Sequence, residues 1–407
     1  MTARPAFRDP NVLRWLGAYT TSVTGDVAYF LILSWTAIRA AGPAQVGAVL
    51  AVGAIPRAVL MLGGGVLADR FGPRRVLLAS DVVRCAAVLG AAALTGIDGP
   101  RLWPLYVVAL LFGVVDAVFL PAVGALPPRL TEQDQLARVQ GMRVLAVRFS
   151  NAIGPLIASF LLAAQGAAGA FALVGVLFGV SVGLLRAVRV GPVEAAGRAG
   201  TGECAPRGRL LGELRDGLRH LRGHRRLRRL VWVIGLGEMC FSGPLFAGLV
   251  LLADERGWGT AALGWILSAF SVGGAVSALT MVVARHVAGA GAVLAGSLLA
   301  TAVVVTALGR IGSPGSAIAL GGLLGALSGV AMVLGNALLQ KEAEPRYLGR
   351  LTSVTTLCTL GLSPLLYPLT GLVAAAWGAA TCFAACGAIC ALAAAAALTA
   401  SLRGARL

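Results

Sequence analysis

Apolar residues fill the chain in long blocks, and the polar positions between them fall in short clusters. Each block has the ~20 residues a helix needs to cross a ~30 Å hydrocarbon core. In order, they predict twelve spans. The first six cover residues 12–38, 45–69, 75–96, 104–127, 138–164 and 168–190, and the second six 229–253, 260–285, 289–309, 315–341, 350–374 and 378–402. The alternation of a β-barrel strand is absent. The pattern breaks over 191–228, where Gly, Pro and Ala give way to a crowd of arginines. There Leu210, Leu211, Leu214, Leu218 and Leu221 recur at helical spacing among Arg209, Arg215, Arg219 and Arg222. Such an amphipathic helix suits an anionic cytoplasmic leaflet or, alternatively, a regulatory partner. The expected fold is an all-α polytopic membrane protein with two six-helix bundles, residues 1–190 and 229–407, joined by a basic cytoplasmic linker at 191–228.

Composition agrees with this pattern. Of the 407 residues, 58% are hydrophobic and 13% charged, with a mean hydropathy of +0.85, too little polar surface to cover a soluble protein of this size. The net charge of +17 would suggest nucleic acid in a soluble chain. Here the basic residues gather in alternate loops, as cytoplasmic retention requires. One set holds Arg70, Arg74, Arg75, Arg129, Arg138, Arg285, Lys341, Arg346 and Arg350, with both termini and the linker. The other holds Arg39, Arg101, Arg256 and Arg310. Both termini are therefore expected in the cytoplasm, the chain in the inner membrane, and nucleic acid is not an expected partner. The seven cysteines fall mostly within apolar runs and form no disulfide framework. Cys382, Cys386 and Cys390 share one helical face, where they read as small packing residues.

The densest polar feature is Gly63 to Arg75, GGGVLADRFGPRR, between the second and third spans. Its pattern Gly65-x-Leu67-Ala68-Asp69-Arg70-x-Gly72-x-Arg74-Arg75 resembles the signature loop of major facilitator superfamily transporters. Further matches resemble the branch holding enterobactin exporters and macrolide efflux pumps: Val115-Asp116, Leu120-Pro121-Ala122, Leu136-Ala137-Arg138, Val147-Arg148, Gly154-Pro155 and Leu348-Gly349-Arg350. The resemblance implies a cytoplasmic gate of Gly65, Asp69, Arg70, Gly72, Arg74 and Arg75, with Asp69 at the start of the eleventh helix, whose positive dipole end favours an anion. Arg350 belongs to the same group. An internal duplication points the same way: Gly47 to Ala68 runs into Asp69-Arg70, and Gly264 to Ala284 runs into Arg285-His286.

Ionisable residues inside spans are costly and mark function by default. Asp26 lies mid-way along the first span, either as a structural hydrogen-bond acceptor or as a carboxylate that exchanges a proton as a cavity opens to each side. Asp116 in the fourth span is expected to pair with Arg148 or Arg143 of the fifth, as a fixed or a switchable ion pair. Glu238 is the one carboxylate well inside a second-half span. Arg57, after Pro56, is placed to hold an anionic group or to steady Asp26. Asp81 and Arg84, spaced i, i+3, are expected to pair and to support the gate loop. Tyr29, Trp35, Asn151, Asn336 and Tyr367 are candidate polar handles in an otherwise apolar cavity.

No Gly-rich nucleotide loop, metal set or catalytic constellation is present in the sequence, so neither an enzyme nor a cofactor is expected. The resemblance implies a monomeric secondary transporter with a small-molecule substrate, protons and the lipid bilayer as partners. Its expected work is efflux, by antiport, of a bulky, mostly apolar compound such as a drug, macrolide or siderophore. An importer or uniporter of the same fold fits the same pattern, and so does a transporter-like sensor that uses the basic linker as its contact surface.

Overall fold

The computed structural model describes residues 8–131, 135–188, 224–240, 245–283, 289–342 and 366–398. The linker helix and Arg350 lie outside these residues. The chain forms two compact units, Met1–Glu203 and Cys204–Leu407.

In the first unit α1 (Pro10–Ala41), α2 (Pro43–Phe71), α3 (Pro73–Asp98) and α4 (Leu102–Ala125) follow one another with almost no connecting chain. Their boundaries are written in local chemistry. Asp9 caps α1 by accepting the Asn11 amide at 2.8 Å, with Pro10 in the first turn. Gly72 takes φ 83°, open to glycine at little cost, and Pro73 restarts the helix, so the polar loop is a tight corner. After a 3-10 turn at Pro127–Arg129 comes α5 (Leu136–Ala187). The fifth and sixth predicted spans are its two arms, separated by the single non-helical residue Gly166 at φ 67°.

The second unit holds α6 (Arg225–Cys240), α7 (Phe246–Glu255), α8 (Gly259–Val283), α9 (Ala290–Arg310), α10 (Pro314–Glu342), α11 (Leu366–Trp377) and α12 (Ala379–Ala397). The seventh predicted span, 229–253, corresponds to α6 and α7 with residues 241–244 outside the described set. Glu255 accepts the Ala379 amide at 2.8 Å, and so caps α12 from the end of α7.

Among the described residues, nine helices are long and apolar enough to cross a membrane. Polarity is inverted relative to a soluble protein. Ile97, Phe160, Leu279 and Leu392 are exposed, whereas Ser22, Asp81, Arg84 and Ser181 are buried. Outward apolar side chains are stable only against lipid, and inward polar ones must satisfy each other. The all-α polytopic fold expected from the hydropathy pattern is the observed one.

Each unit uses the same crossing device. In the first, α2 crosses α4 so closely that a Cβ at Gly113 would overlap the Gly53 carbonyl. In the second, α8 crosses α10 with Gly322 O against Gly273 and Phe270 O against Gly325. Gly113→Val and Gly325→Val are each expected to destabilise by at least ~1–3 kcal/mol through overpacking. Thermal unfolding in detergent checks this, with Gly90→Ala, which meets nothing within 4 Å, expected to melt like the parent.

Candidate functional site

Three helices of the first unit contribute polar or aromatic side chains at one-turn spacing, so each set shares a face. From α1 come Ser22, Asp26 and Tyr29. From α4 come Phe112, Asp116 and Phe119, and from α3 Asp81 and Arg84. Arg57 of α2 and Phe178 and Ser181 of the second arm of α5 complete the group. The Phe178 ring packs directly on α1 at Gly25, where a Cβ would lie 3.2 Å from its Cζ.

Arg84 is the centre. Its side chain is 1% exposed and touches three carboxylates. Nη2 donates to Asp116 Oδ1. Nη1 lies 3.4 Å from Asp26 Oδ2 and 3.4 Å from Asp81 Oδ1, and reaches Ser22 Oγ at 3.4 Å. The Phe119 ring sits 4.1 Å from the guanidinium carbon, with Phe112 and Phe178 both at 5.8 Å. The aromatic faces supply cation–π attraction on the sides that the carboxylates leave open. Tyr29 stacks on Phe112 at 3.7 Å.

The cluster has a sealed side and an open side. Asp81 is 0% exposed, with Ser22 donating to Oδ1 at 2.9 Å and Ser181 to Oδ2 at 2.6 Å. Asp26, Asp116 and Arg57 are 29%, 22% and 32% exposed. Arg57 Nη1 stands 3.6 Å from Asp116 Oδ2, a looser contact than the one Arg84 makes. Three carboxylates against two guanidinium groups leave one negative charge uncompensated when all are ionised.

The expected partner of Asp116 is corrected by this geometry. Arg84 and Arg57 hold it, not Arg143 or Arg148, which lie half-buried on the first arm of α5. Asp81 and Arg84 pair as expected, and Arg84 reaches Asp26 and Asp116 as well. Arg57 stands against Asp116. The remaining candidates are dispersed: Trp35 half-buried on α1, Asn151 half-buried on α5, Asn336 exposed on α10 and Tyr367 buried on α11. Glu238 lies on α6 and Gly65 and Asp69 on α2, their side-chain positions outside the described set.

The loop arginines have separate surroundings. Arg74 donates to Leu185 O at 3.2 Å and Arg186 O at 2.8 Å, and Arg14 adds Ala187 O at 3.3 Å. These are the last carbonyls of α5, of which Leu185 O also takes the Val188 amide at 3.3 Å, and a cation there meets the negative helix terminus. The Arg74 contact thus lies within its own unit. Arg70 lies over the Phe71 ring at 5.6 Å, and Arg75 is exposed.

Between α1 and the first arm of α5 lies a pocket of about 310 Å³ lined by Leu16, Thr20, Met142, Leu145, Ala146 and Phe149. Its wall holds no charged side chain. No pattern in the chain marks it, since these residues look like any other span residues until the two helices are placed side by side.

Residues 15–288 match the profile of the Major Facilitator Superfamily. Similar curated proteins include the enterobactin exporters EntS of Shigella boydii serotype 18 and Escherichia coli O139:H28. Each is 24% identical over 356 residues, spanning 88% of this chain and 82% of the relative. The resemblance to that branch is thereby borne out. Similar solved structures include the nucleoside transporter NupG, with TM-score 0.75 and 14% identity over 95% of this chain and 98% of that one. A bacterial homologue of the iron transporter ferroportin, inward-facing, gives 0.67 and 17% over 97% and 99%. At these identities the structures establish the fold alone.

Removing Arg84 would leave Asp116 without the guanidinium that bonds its Oδ1. Arg84→Leu is expected to cost about 3–5 kcal/mol, and Asp116→Asn in the same background to restore part of that loss. A double-mutant cycle by thermal or denaturant unfolding checks it, additive losses being the result that rules the coupling out.

Proposed function

The chain belongs to the major facilitator superfamily, and on that premise we propose that it exports a bulky, mostly apolar small molecule in exchange for protons. Membership makes it a multi-pass transporter of the inner membrane rather than an enzyme. The observation that carries the finer reading is the charge cluster. Arg84 is held by three carboxyl groups, which with Arg57 counted would leave one negative charge in excess if all were ionised, and two of the three lie on an accessible side.

Such a cluster is built to exchange one cation. A proton taken up at Asp26 or Asp116 neutralises the excess and weakens that carboxylate's hold on Arg84, so protonation and side-chain pairing change together. Arg57, half-exposed and loosely held, follows Asp116 or takes an anionic group of the substrate. A membrane segment that couples pairing to protonation in this way can bias one access state over the other, which is the requirement of alternating access.

The substrate class rests on two supports. The α1–α5 pocket is an open groove, apolar apart from the Thr20 hydroxyl, with Leu145 and Phe149 exposed in its lining. The relatives carry the name enterobactin exporter, which supports a siderophore-like or drug-like compound over a small polar metabolite. The 65–75 loop, with Asp69, Arg70, Gly72, Arg74 and Arg75, serves in this reading as the cytoplasmic gate, with both termini on the same side.

Proteoliposomes under an imposed proton gradient test the proposal with lipophilic cations, macrolides and catecholate siderophores. Gradient-driven movement of at least one compound is expected in the parent. Asp26→Asn and Asp116→Asn are each expected to lower it by about tenfold or more, a barrier change of about 1.4 kcal/mol. Phe149→Ala is expected to change which compounds move and not the gradient dependence. Movement that ignores the gradient and both aspartate substitutions would identify a facilitator instead.

A further inference from the structure

Among the three carboxyl groups around Arg84, only one has a place to put a proton. Both oxygens of Asp116 face guanidinium N–H groups, Oδ1 that of Arg84 and Oδ2 that of Arg57. A hydrogen on either oxygen would point at another donor. Asp26 Oδ2 faces Arg84, and Asp26 Oδ1 is buried with no hydrogen-bond partner. A hydroxyl there would be a buried donor without an acceptor, which costs about 1–3 kcal/mol.

Asp81 is different. Ser181 Oγ lies 2.6 Å from Asp81 Oδ2 and 2.9 Å from the backbone oxygen Ala18 O. A serine hydroxyl has one hydrogen and cannot donate to both. If Asp81 is ionised, one of those two close contacts is oxygen against oxygen with nothing between. If Asp81 carries a hydrogen on Oδ2, a continuous chain forms: Asp81 O–H donates to Ser181 Oγ, and Ser181 O–H donates to Ala18 O. Asp81 Oδ1 remains an acceptor for Ser22 Oγ at 2.9 Å and Arg84 Nη1 at 3.4 Å. The charge count closes as well: with Asp81 neutral, the two ionised carboxylates balance Arg57 and Arg84.

We infer that Asp81 is the proton-storing residue of the cluster in this conformation, holding its proton on Oδ2 against Ser181, behind Arg84 and out of reach of solvent. This rests on reading the cluster as the coupling site. Release is an exchange within it. The proton leaves Asp81 and the same proton ends on Asp26, whose side chain is 29% exposed, once that side chain turns its hydroxyl out of the buried position that Oδ1 holds here. Ser22, bonded to Asp81, stands one helical turn before Asp26 on α1. Arg84 then turns from the neutral Asp26 to the ionised Asp81, and total charge is unchanged. The charged or titratable groups facing Asp81 are Asp26 of α1 and Arg84 and Cys85 of α3, with the Ser22 and Ser181 hydroxyls of α1 and α5 in direct contact.

Infrared difference spectroscopy on the purified full-length protein tests this without any substrate. A carboxylic-acid C=O band, shifted in deuterated water, is expected in the parent and lost in Asp81→Asn. The discriminating variant is Ser181→Ala, which leaves the charge count untouched and contacts only Asp81 among the three carboxyl groups. It is expected to move the band to higher frequency, because the acid loses its acceptor. A parent with no such band, a band that survives Asp81→Asn, or a band that Ser181→Ala leaves in place would each overturn the assignment. If Asp81→Asn does not fold, the Ser181→Ala shift decides alone. Gradient-driven transport lost in Asp26→Asn together with a band indifferent to Ser181→Ala would sink the assignment and leave the exporter reading standing. A shifted band in a protein that ignores the gradient would do the reverse.

Discussion

A guanidinium group cannot lose its charge at any accessible pH, so Arg84, sealed inside the first unit, must be surrounded by whatever makes that charge tolerable. Most of the structure around it can be derived from that requirement. Three carboxylates arrive from α1, α3 and α4, and Phe119, Phe112 and Phe178 bring ring faces from two helices. Gly25 is small so that Phe178, and with it the second arm of α5, can pack directly on α1. Ser22 and Ser181 hold the one carboxylate that water does not reach. The same helices also share neutral polar contacts, Thr24 to Ser150 at 2.9 Å between α1 and α5 and Tyr106 to Gln45 at 2.8 Å between α4 and α2, and the charge cluster adds to these in setting their register. In lipid, apolar surfaces alone give little preference for one register over another.

Much of this was legible in the chain, and the illegible part has a physical reason. The spans follow from apolar length, and the corner at Gly72-Pro73 follows from residues that can do little else. Asp26 and Asp116 stand out because any carboxylate in a span does. Arg84 was hidden by its own neighbour: an arginine three residues after an aspartate looks self-satisfied within one helix, whereas in three dimensions Asp81 occupies only part of its donor set. Arg143 and Arg148 competed for Asp116 on sequence grounds because span order says which helices exist and not which faces meet. Serines were invisible for a related reason. Most span hydroxyls here bond back to their own helix, as Thr20, Ser34 and Thr36 do, and nothing in the sequence separates them from Ser22 and Ser181.

The two units repeat their packing and not their chemistry. Both bring two helices together at bare glycine positions, α2 on α4 and α8 on α10, as expected of a duplicated bundle. Yet the buried charged side chains among the described residues are Asp81 and Arg84, both in the first unit. In the second unit the buried polar residues are hydroxyls such as Thr301, Ser297 and Thr370, and Glu255 is spent on capping α12. A repeat that needs only close backbone contact can keep its glycines while its ionisable residues drift, because those glycines are required by geometry and charges only by function. The first half therefore carries what ion chemistry is visible.

The loop that first drew attention to the family is also the least simple part of the molecule. Its arginines look equivalent in sequence, yet Arg74 is committed to the last carbonyls of α5, the point at which the chain leaves the first bundle, and Arg14 reaches the next carbonyl along. A helix end held from two directions resists fraying of its final turn. Arg70 lies over the Phe71 ring and Arg75 is exposed. One motif thus places three arginines in three different surroundings, and which of them braces α5 is decided by the reach from the Gly72 corner to the last carbonyls of that helix.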